Sequence, residues 1–469
     1  MIKINTLSDL SDLNITVMGL GINGGGLATA LFLAEVGANL TITDLKTEEQ
    51  LAPVVKKLQS QRYKYPITFH LGKHNQEDFS KAHIVIKNPA VLWNNKYLAL
   101  AKQIETDLSL FLRFVKNPII AITGSKGKST TASALHHILS KCGTNCYLGG
   151  NITISPLSFI KEAQKESHSP IILELSSWQL SDINYVEQQS NIKLLHPQIS
   201  IITNILHDHQ NTYNNFSDYV KDKKIVYKNQ TTQDYLLTFN DSWGNSFNDE
   251  AAATTHLFSI NQDKSSILIK SAKQEQLIPC CSLPPTILGW HNKINIGFAI
   301  KGAMLLGYSL DEATNAISDF KGMKHRMETI KKFQVDETVV TAVNDSAATM
   351  PDALLASTNS YSLPIYLLAG GTDKELDFSP LTQIPNHVKK YILFEGSATS
   401  NFLPLLDKEK VVGLFKTMKS AIEAAVNEIK KDRPKEAIIL LSPGAASFGL
   451  FNNEFDRGDQ FRSAIMEFS

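Results

Sequence analysis

The chain has 469 residues, 43% of them hydrophobic and 20% charged, a globular composition that excludes a disordered chain or a coiled coil. Its 46 basic and 46 acidic residues cancel, which argues against a protein whose main partner is nucleic acid. No apolar stretch approaches the ~20 residues of a membrane span. The polar start lacks a signal-peptide pattern, and the four cysteines lack metal-ligand spacing. We therefore expect a soluble cytoplasmic protein without membrane contact.

Apolar runs alternate with Gly-rich turns and amphipathic stretches, a pattern typical of α/β layers built on parallel strands. At ~100–200 residues per domain, the length predicts about three domains. We place them at 1–103, 104–322 and 323–469. The fold class we expect is α/β, with Rossmann-like first and third domains and a central sheet of the phosphate-loop ATPase type. The polar segment 230–283 is expected to add peripheral strands or loops.

A glycine-rich motif follows the first predicted strand. Gly19-Leu-Gly-Ile-Asn-Gly24 fits G-x-G-x-x-G, and Asp44 ends the next strand at the spacing of a dinucleotide fold. Taken alone, the motif indicates a nicotinamide or flavin oxidoreductase. A nucleotide diphosphate without nicotinamide would use the same loop. The motif therefore leaves both ligands open.

A second loop, Gly124-Ser-Lys-Gly-Lys-Ser-Thr130, lies between a predicted strand and a predicted helix. Its glycines allow successive N–H groups to point at a phosphate, and the helix dipole adds positive potential. Lys128 would reach the outer phosphates and the Ser129 hydroxyl would contact Mg²⁺. The loop is a short variant, because Ile122 stands where the general pattern has glycine. The alternative is a ligand-free turn.

Carboxylate and imidazole groups follow two further apolar runs. Glu174 ends the run from Ile171, and parallel strands present ligands at such ends. We expect Glu174 to be a magnesium ligand, although a solvated edge carboxylate is the simpler alternative. His207-Asp208-His209 follows the run 201–206, but magnesium sites seldom use histidine, so chemistry alone does not favour a histidine ligand there.

A lysine lies on the apolar side of the helix predicted over 216–227. Lys223 shares its stripe with Tyr219, Val220 and Val226. One interpretation is a lysine whose ammonium snorkels to water. The other is a buried lysine with chemistry of its own, or with a modification that changes its charge.

The alternation resumes in the last third of the chain. Strands are predicted over 339–343, 365–368, 391–394 and 437–441, and apolar residues at helical spacing predict a helix over 418–429. These elements support the third α/β domain.

Ordered blocks along the whole chain resemble the Mur ligase family. The blocks are Gly124–Thr130, Gly149-Gly-Asn151, Glu174–Leu180, Asp208-His209, the Lys223 helix, His291–Asn295, Lys324–Glu328, Asn344-Asp345-Ser346, Gly370–Lys374, and Ser442-Pro443 through Ser447 to Arg457-Gly-Asp. Each block is weak alone, but the ordered set is specific.

The resemblance implies a site for each substrate. The residues implied for UDP-N-acetylmuramoyl-L-alanine are Ile22, Asn23, Asp44, Leu45, Lys46, Asn151 and Ser176, with His209 near the muramoyl end or the metals. Those implied for ATP are Gly124, Ser125, Lys126, Gly127, Lys128, Ser129, Thr130, Thr131, Asn292, Asn295, Arg326 and Asp345. Lys374 and Ser447 are implied for the carboxylates of the incoming amino acid, and Thr349 is implied as a further substrate-binding residue. The third domain would close over both nucleotides.

The implied chemistry is ATP-dependent amide-bond formation in peptidoglycan precursor synthesis, through an acyl phosphate. Catalytic roles fall to Lys128, Glu174, His209, Lys223, Asp345 and Lys374. Two Mg²⁺ sites would use Ser129, Glu174, His209 and Lys223, the lysine as its carbamate. We expect D-glutamate as the amino acid, ATP and UDP-N-acetylmuramoyl-L-alanine as the other substrates, no nucleic acid, and a monomer. A non-catalytic nucleotide-binding protein is the alternative of another class, disfavoured because these groups are retained.

Several positions depart from the family pattern. Ala347 and Met350 replace a lysine and an asparagine, and Glu454-Phe455 exchanges an aromatic residue and an acid. These changes leave L-glutamate, another amino acid or another UDP-muramoyl precursor open. Lys126 in the phosphate loop is hypothesised to replace the charge lost at Ala347.

Overall fold

The computed structural model describes residues 2–21, 25–152, 154–206, 213, 215–272, 274–284, 289–374 and 376–468. The chain forms two compact units. The first comprises Met1–Leu283 and Ile294–Ser318, and the second comprises Pro284–Lys293 and Asp319–Ser469. Three mostly parallel sheets confirm the predicted α/β class. The finer domain boundaries near residues 103 and 322 stay predictions.

The first sheet has five parallel strands in the order β3-β2-β1-β4-β5. Its strands are β1 (Asn14–Met18), β2 (Asn39–Asp44), β3 (Thr68–Leu71), β4 (Ile84–Lys87) and β5 (Ile104–Glu105). The helices around it are α1 (Gly25–Glu35), α2 (Glu48–Gln59), α3 (Gln76–Ser80) and α4 (Asp107–Phe114). Strand β1 lies in the middle, so Gly19 and Gly21 after it contact residues that follow β4 and end β2.

The second sheet has eight strands in the order β13-β12-β11-β10-β9-β6-β8-β7. They are β6 (Ile119–Thr123), β7 (Tyr147–Gly150), β8 (Ile171–Glu174), β9 (Ile199–Ile202), β10 (Tyr235–Phe239), β11 (Thr254–Ile260), β12 (Ser266–Lys270) and β13 (Glu275–Pro279). All pairs are parallel except β11 with β12 and β12 with β13. The polar segment 230–283 thus forms four strands that extend this sheet on one side.

Seven helices of the described residues accompany the second sheet. They are α5 (Lys128–Lys141), α6 (Ile160–Lys165), α7 (Ser177–Ser190), α8 (Phe216–Lys224), α9 (Ser242–Glu250), α10 (Trp290–Leu305) and α11 (Leu310–Ile317). Helix α10 begins in the second unit and continues in the first. All five residues of β6 are buried, as expected for a parallel strand covered on both faces. One hydrophobic cluster runs from the first sheet into the second and makes them a single packed unit.

The third sheet has six strands in the order β14-β15-β19-β16-β17-β18, with only β14 and β15 antiparallel. They are β14 (Glu328–Val335), β15 (Thr338–Asn344), β16 (Ile365–Gly370), β17 (Val388–Phe394), β18 (Val411–Phe415) and β19 (Glu436–Leu441). Its helices are α12 (Pro351–Thr358), α13 (Ser397–Phe402), α14 (Met418–Asp432) and α15 (Glu454–Glu467). Helix α14 buries the apolar face that predicted it.

Short 3-10 turns connect many of these elements. They lie at Leu7–Leu10, Leu98–Leu100, Pro156–Phe159, Ile225–Tyr227, Cys280–Ser282, Ser379–Gln383, Leu403–Leu405 and Lys408–Lys410. Across the described ranges, no helix combines the length and the apolar character needed to cross a membrane.

Candidate active site

The phosphate loop joins the buried strand β6 to helix α5. Gly124 and Gly127 have φ of +139° and +88°, and a Cβ on either would lie within 2.4 Å of a neighbouring side chain, so glycine is required at both. The Lys128 ammonium donates to the carbonyls of Gly124 at 3.0 Å and Ser125 at 3.1 Å. Gly127 caps α5 and offers no side-chain acceptor to its first turn, and the positive end of the helix dipole favours an anion at this place.

Residues after β9 hold this loop in shape. The Thr203 hydroxyl donates to the Lys126 carbonyl at 2.6 Å, and the Asn204 carboxamide oxygen accepts from the Lys126 N–H at 2.9 Å. The Ser125 and Tyr219 hydroxyls lie 2.8 Å apart. Thr203, Asn204 and Tyr219 were not predicted as site residues, although two of them follow a strand that lies beside β6.

Glu174 ends β8, the strand on the other side of β6. Its side chain is nearly fully buried, at 1% exposure. Oε1 accepts a hydrogen bond from Asn151 Nδ2 at 3.0 Å, whereas the buried Oε2 has no hydrogen-bond partner among the described residues. A buried carboxylate oxygen without a donor is costly, so its position favours a cation as a partner.

Two predicted site hydroxyls, those of Ser176 and Ser129, begin the helices that follow β8 and β6. Ser176 caps α7, and its hydroxyl accepts from the Gln179 N–H at 3.2 Å. Ser129 is in the first turn of α5, next to the phosphate loop. Hydroxyl and carboxylate oxygens are hard ligands, so Ser129 and Glu174 fit Mg²⁺. No cluster of three or more His, Cys, Asp or Glu side chains suited to a metal occurs among the described residues; Mg²⁺ at nucleotide sites is commonly held by one or two carboxylates and by phosphates.

Lys223 of α8 lies against the phosphate loop at 2% exposure. Its Nζ donates to the Gly124 carbonyl at 2.9 Å and lies 4.5 Å from the ring centroid of Tyr219. The Gly124 carbonyl therefore accepts from both Lys128 and Lys223. His209 lies outside the described residues.

Asn295 on α10 borders the same loop, because its side chain occupies the space that a Cβ on Gly127 would need. Asn292 lies three residues earlier on this helix, so the two asparagines share a helix face. Both were predicted to contact ATP.

The expected uridine site lies at the carboxyl edge of the first sheet. The Asp44 carboxylate accepts from the Gly21 N–H at 3.0 Å and from the Lys46 N–H at 2.9 Å, while Leu45 is exposed beside it. Asn88, after β4, donates to the Gly19 carbonyl at 3.1 Å. The structure therefore brings Asp44, Leu45 and Lys46 to the glycine motif. Ile22 and Asn23 lie outside the described residues.

In the second unit, Asp345 follows β15 in a buried setting. It accepts from the Met327 N–H and the Ser442 hydroxyl, each at 3.1 Å, and from the Ser357 hydroxyl. Burial raises the pKa of the Asp345 carboxyl to about 6 despite these donors. Arg326 lies between His325 and Met327, whose φ angles of +62° and +48° are uncommon for such residues and fix the path of this segment.

Lys374 and Ser447 lie on loops after β16 and β19 of the third sheet. Residues Thr372 and Ala446 on these loops exchange two backbone hydrogen bonds. The Lys374 ammonium lies 4.9 Å from the ring centroid of Phe448, which is 50% exposed. Thr349 is on the loop after β15, whose residue Ala348 accepts from the Gly444 N–H at 2.8 Å. Phe448 was not predicted as a site residue, because a single exposed aromatic residue on a loop has no distinguishing pattern.

Arg457 is another missed residue of this loop edge, although its block was noted. It is fully buried and donates to the Ser346 hydroxyl at 3.0 Å and to the Ser346 carbonyl at 2.8 Å. The Ser346 hydroxyl in turn donates to the carbonyl of Glu454 at 2.7 Å. Arg457 thereby ties the loop after β15 to the start of α15.

In the first unit, the geometry of the phosphate loop suits a nucleotide phosphate, and a buried carboxylate lies beside the loop. In the second unit, the loops after β16 and β19 carry the exposed Lys374 and the buried Ser447. Family models describe the same parts: Mur ligase middle domain matches residues 122–301, and Mur ligase MurD-like, N-terminal domain matches residues 13–108. The chain belongs to the Mur ligase family.

Curated relatives match over nearly the full length. A protein of Borreliella afzelii named UDP-N-acetylmuramoylalanine--D-glutamate ligase is 41% identical over 98% of this chain and 99% of its own length. A protein of Treponema pallidum with the same name is 35% identical over 96% of this chain and 97% of its own.

Solved structures share the fold. UDP-N-acetylmuramate-alanine ligase MurC of Thermotoga maritima matches with a TM-score of 0.56 and 18% identity, over 97% of this chain and all of its own. MurF ligase of the same organism, in complex with ADP, matches with a TM-score of 0.55 and 11% identity over 99% and 98% of the two chains. At these identities the likeness concerns the fold.

Proposed function

We propose that this protein is an ATP-dependent ligase that adds D-glutamate to UDP-N-acetylmuramoyl-L-alanine during peptidoglycan precursor synthesis. The observation that carries the proposal is the phosphate loop with the buried, half-partnered Glu174 beside it, in a chain whose full-length relatives bear the name of this activity. ATP and UDP-linked precursors are cytoplasmic metabolites, which supports the cytoplasm as the place of reaction.

The first step transfers the γ-phosphoryl group to the alanine carboxylate. A carboxylate oxygen attacks the γ-phosphorus, the bond to the β-phosphate oxygen breaks, and ADP leaves. Phosphoryl transfer depends mainly on positioning and on neutralising charge. In our assignment the N–H groups at the start of α5 and the Lys128 ammonium hold the phosphates, while Asn295 borders the loop that carries them.

The second step forms the amide. The neutral amine of glutamate attacks the acyl carbon, the carbon–oxygen bond to phosphate breaks, and inorganic phosphate leaves as the amine loses a proton. Lys374 and Ser447 are assigned to the carboxylates of the incoming amino acid, because an ammonium and a hydroxyl suit such acceptors. Excluding water would protect the acyl phosphate from hydrolysis.

Ser129 and Glu174 are the described residues that would hold Mg²⁺, with Lys223 as a carbamate for a second ion. When bound, the metal neutralises charge on the phosphates and on the transferring group. Carbamate formation joins the neutral Lys223 amine to carbon dioxide and releases one proton. It would give this buried position a pair of anionic oxygens, which would suit a divalent metal better than an ammonium.

The uridine diphosphate is assigned to the edge of the first sheet. Backbone groups around Gly19 and Gly21 would approach the diphosphate, as glycine motifs do in dinucleotide folds. Leu45 and Lys46 would lie beside the nucleoside. This assignment accounts for a dinucleotide-type motif in a chain that also has a phosphate loop.

Phosphate release tests the proposal directly. The purified protein is mixed with ATP, Mg²⁺ and UDP-N-acetylmuramoyl-L-alanine, and each candidate amino acid is added separately. We expect release with D-glutamate and background release with L-glutamate, L-alanine or a diamino acid. Release with another amino acid alone would show that the protein is a Mur ligase with a different amino-acid substrate. Absence of release with every amino acid would contradict the ligase assignment.

A further inference from the structure

A buried ion pair joins the first sheet to the second within the first unit. Lys87 is the last residue of β4, and Asp182 lies on α7. The Lys87 Nζ is 2.9 Å and 2.8 Å from the two carboxylate oxygens of Asp182, and the two side chains are only 1% and 4% exposed. The ammonium therefore has one carboxylate that it contacts through both oxygens, away from water.

Aromatic rings reinforce this junction. Trp93, on the loop after β4, stacks on Tyr185 of α7 with ring centroids 3.7 Å apart and an interplanar angle of 25°. The Lys87 ammonium lies 4.9 Å from the Trp93 ring centroid. Two independent contacts thus hold the end of β4 against the same helix.

The Lys87–Asp182 pair lies between the two places where the proposed substrate would bind, the glycine motif of the first sheet and the Glu174 edge of the second. On one side Asn88 follows Lys87 and donates to the Gly19 carbonyl of the glycine motif. On the other side, Asp182 lies on helix α7. The N-cap of this helix is Ser176, which follows Glu174 by two residues. A change in the Lys87–Asp182 contact would therefore shift the glycine motif relative to the Glu174 edge.

Desolvation is the largest influence on both groups. Burial lowers the pKa of Lys87 and raises the pKa of Asp182 to about 6, although each group attracts the other. Asp107 is a further carboxyl group near both, and burial raises its own pKa. A pair of this kind adds little net stability compared with apolar residues of similar volume, but it enforces one geometry.

We propose that Lys87 and Asp182 are positioning residues that fix the distance between the uridine diphosphate site and the phosphate-loop site, so that a substrate spanning both can bind. This inference rests on the proposed function. It concerns ligands that touch both sheets, and it leaves ligands confined to one sheet unaffected. That difference separates positioning from a general structural role.

Three ligands and one double variant test the proposal. In Lys87→Met/Asp182→Leu both charges are replaced by apolar groups of similar size, so the fold should persist. We expect the Kd and KM of UDP-N-acetylmuramoyl-L-alanine to rise about tenfold, as when a binding-competent arrangement is populated about a tenth of the time. The Kd of UDP and the Kd of magnesium ADP should each stay within about twofold of the parent values, because each nucleotide contacts one sheet.

A matched control exists in the same unit. Lys161 on α6 and Glu35 on α1 form an ion pair of 2.7 Å that also joins the first sheet's layer to the second, but the two side chains are 50% and 45% exposed. Lys161→Met/Glu35→Leu should leave all three ligands unchanged, because exposed ion pairs are weak. The conservative variant Lys87→Arg should retain spanning-substrate affinity within about threefold, because a guanidinium can also contact both carboxylate oxygens.

The outcomes separate clearly. Equal weakening of all three ligands, or no weakening of the spanning substrate, would overturn the positioning role. If the double variant does not fold, Lys87→Gln, which keeps a donor to Asp182, takes its place. We expect it to weaken the binding of the spanning substrate alone, by a smaller factor. An equal rise in the Kd of all three ligands would overturn the proposal. Failure of the unmodified protein to bind UDP-N-acetylmuramoyl-L-alanine, while UDP and ADP bind, would instead contradict the proposed function and this inference with it.

Discussion

The second and third sheets both carry their candidate site residues on loops that follow strands, but they differ in how those residues are distributed along the sequence. At the second sheet, seven consecutive residues, Gly124–Thr130, form a phosphate loop whose glycines are required by the packing of Thr203 and Asn295. At the third sheet, Asp345, Lys374 and Ser447 follow three different strands. A phosphate loop built on one turn can therefore be recognised from a contiguous motif, whereas groups that follow three different strands leave no contiguous signal in the sequence.

The largest effect is expected at the phosphate loop. Lys128→Met removes the ammonium assigned to the outer phosphates, so we expect kcat/KM to fall about 10³-fold with little change in melting temperature. Lys141→Met, at the exposed end of the same helix, is the control and should be neutral. A loss of kcat/KM below about tenfold for Lys128→Met would contradict the assignment of this ammonium to the outer phosphates.

The next effect concerns the charge state of Lys223. If its carbamate is the required form, Lys223→Ala and Lys223→Arg should both lower turnover about 100-fold, because neither side chain can form a carbamate. Added short-chain carboxylic acids should partly restore Lys223→Ala. Lys221→Ala, on the exposed side of α8, serves as the control. An active Lys223→Arg would show that a cation suffices at this position.

The third effect tests whether Lys126 of the phosphate loop replaces the positive charge that is absent at Ala347. Lys126 is exposed in the phosphate loop, and the family's lysine is absent at Ala347. Under the compensation hypothesis, Lys126→Asn lowers kcat about tenfold, because it removes a cation that would stabilise the transferring phosphoryl group, and Ala347→Lys changes it by less than about threefold. Steady-state kinetics of both variants decide the matter. Equal effects would contradict compensation.

The smallest effect lies in the amino-acid site. The Phe448 ring lies under the Lys374 ammonium, and an exposed cation–π contact contributes about 0.5–1 kcal/mol. Phe448→Leu should therefore raise the KM for D-glutamate about threefold without changing the KM for ATP. Phe448→Tyr keeps the ring and should match the parent protein. An unchanged KM in the leucine variant would show that the ring does not position Lys374.

Local patterns predicted much of the fold. The α/β class, the strands β1, β2, β6, β15–β17 and β19, and the helix α14 follow from apolar periodicity and turn residues, and the structure confirms them. Segment 230–283 was harder to interpret, because its polar composition conceals four strands that extend the second sheet. Strand order depends on long-range pairing, which no local pattern contains.

The candidate site was predictable to the extent that its residues lie in motifs. The phosphate loop, Glu174 and Lys223 were identified from their places after strands or on a helix face. Thr203 and Asn204 were missed because ordinary polar residues after a strand carry no special pattern. Lys87 and Asp182 are 95 residues apart, so only the folded chain shows that they form a pair.

The most direct test of the central claim follows one oxygen atom. UDP-N-acetylmuramoyl-L-alanine labelled with ¹⁸O at both carboxylate oxygens is incubated with the protein, ATP, Mg²⁺ and D-glutamate, and the released phosphate is examined by mass spectrometry. Transfer of the γ-phosphoryl group to the carboxylate, followed by attack of the amine, predicts one ¹⁸O atom in each phosphate released. Unlabelled phosphate, or labelled phosphate released with L-glutamate in place of D-glutamate, would contradict the account.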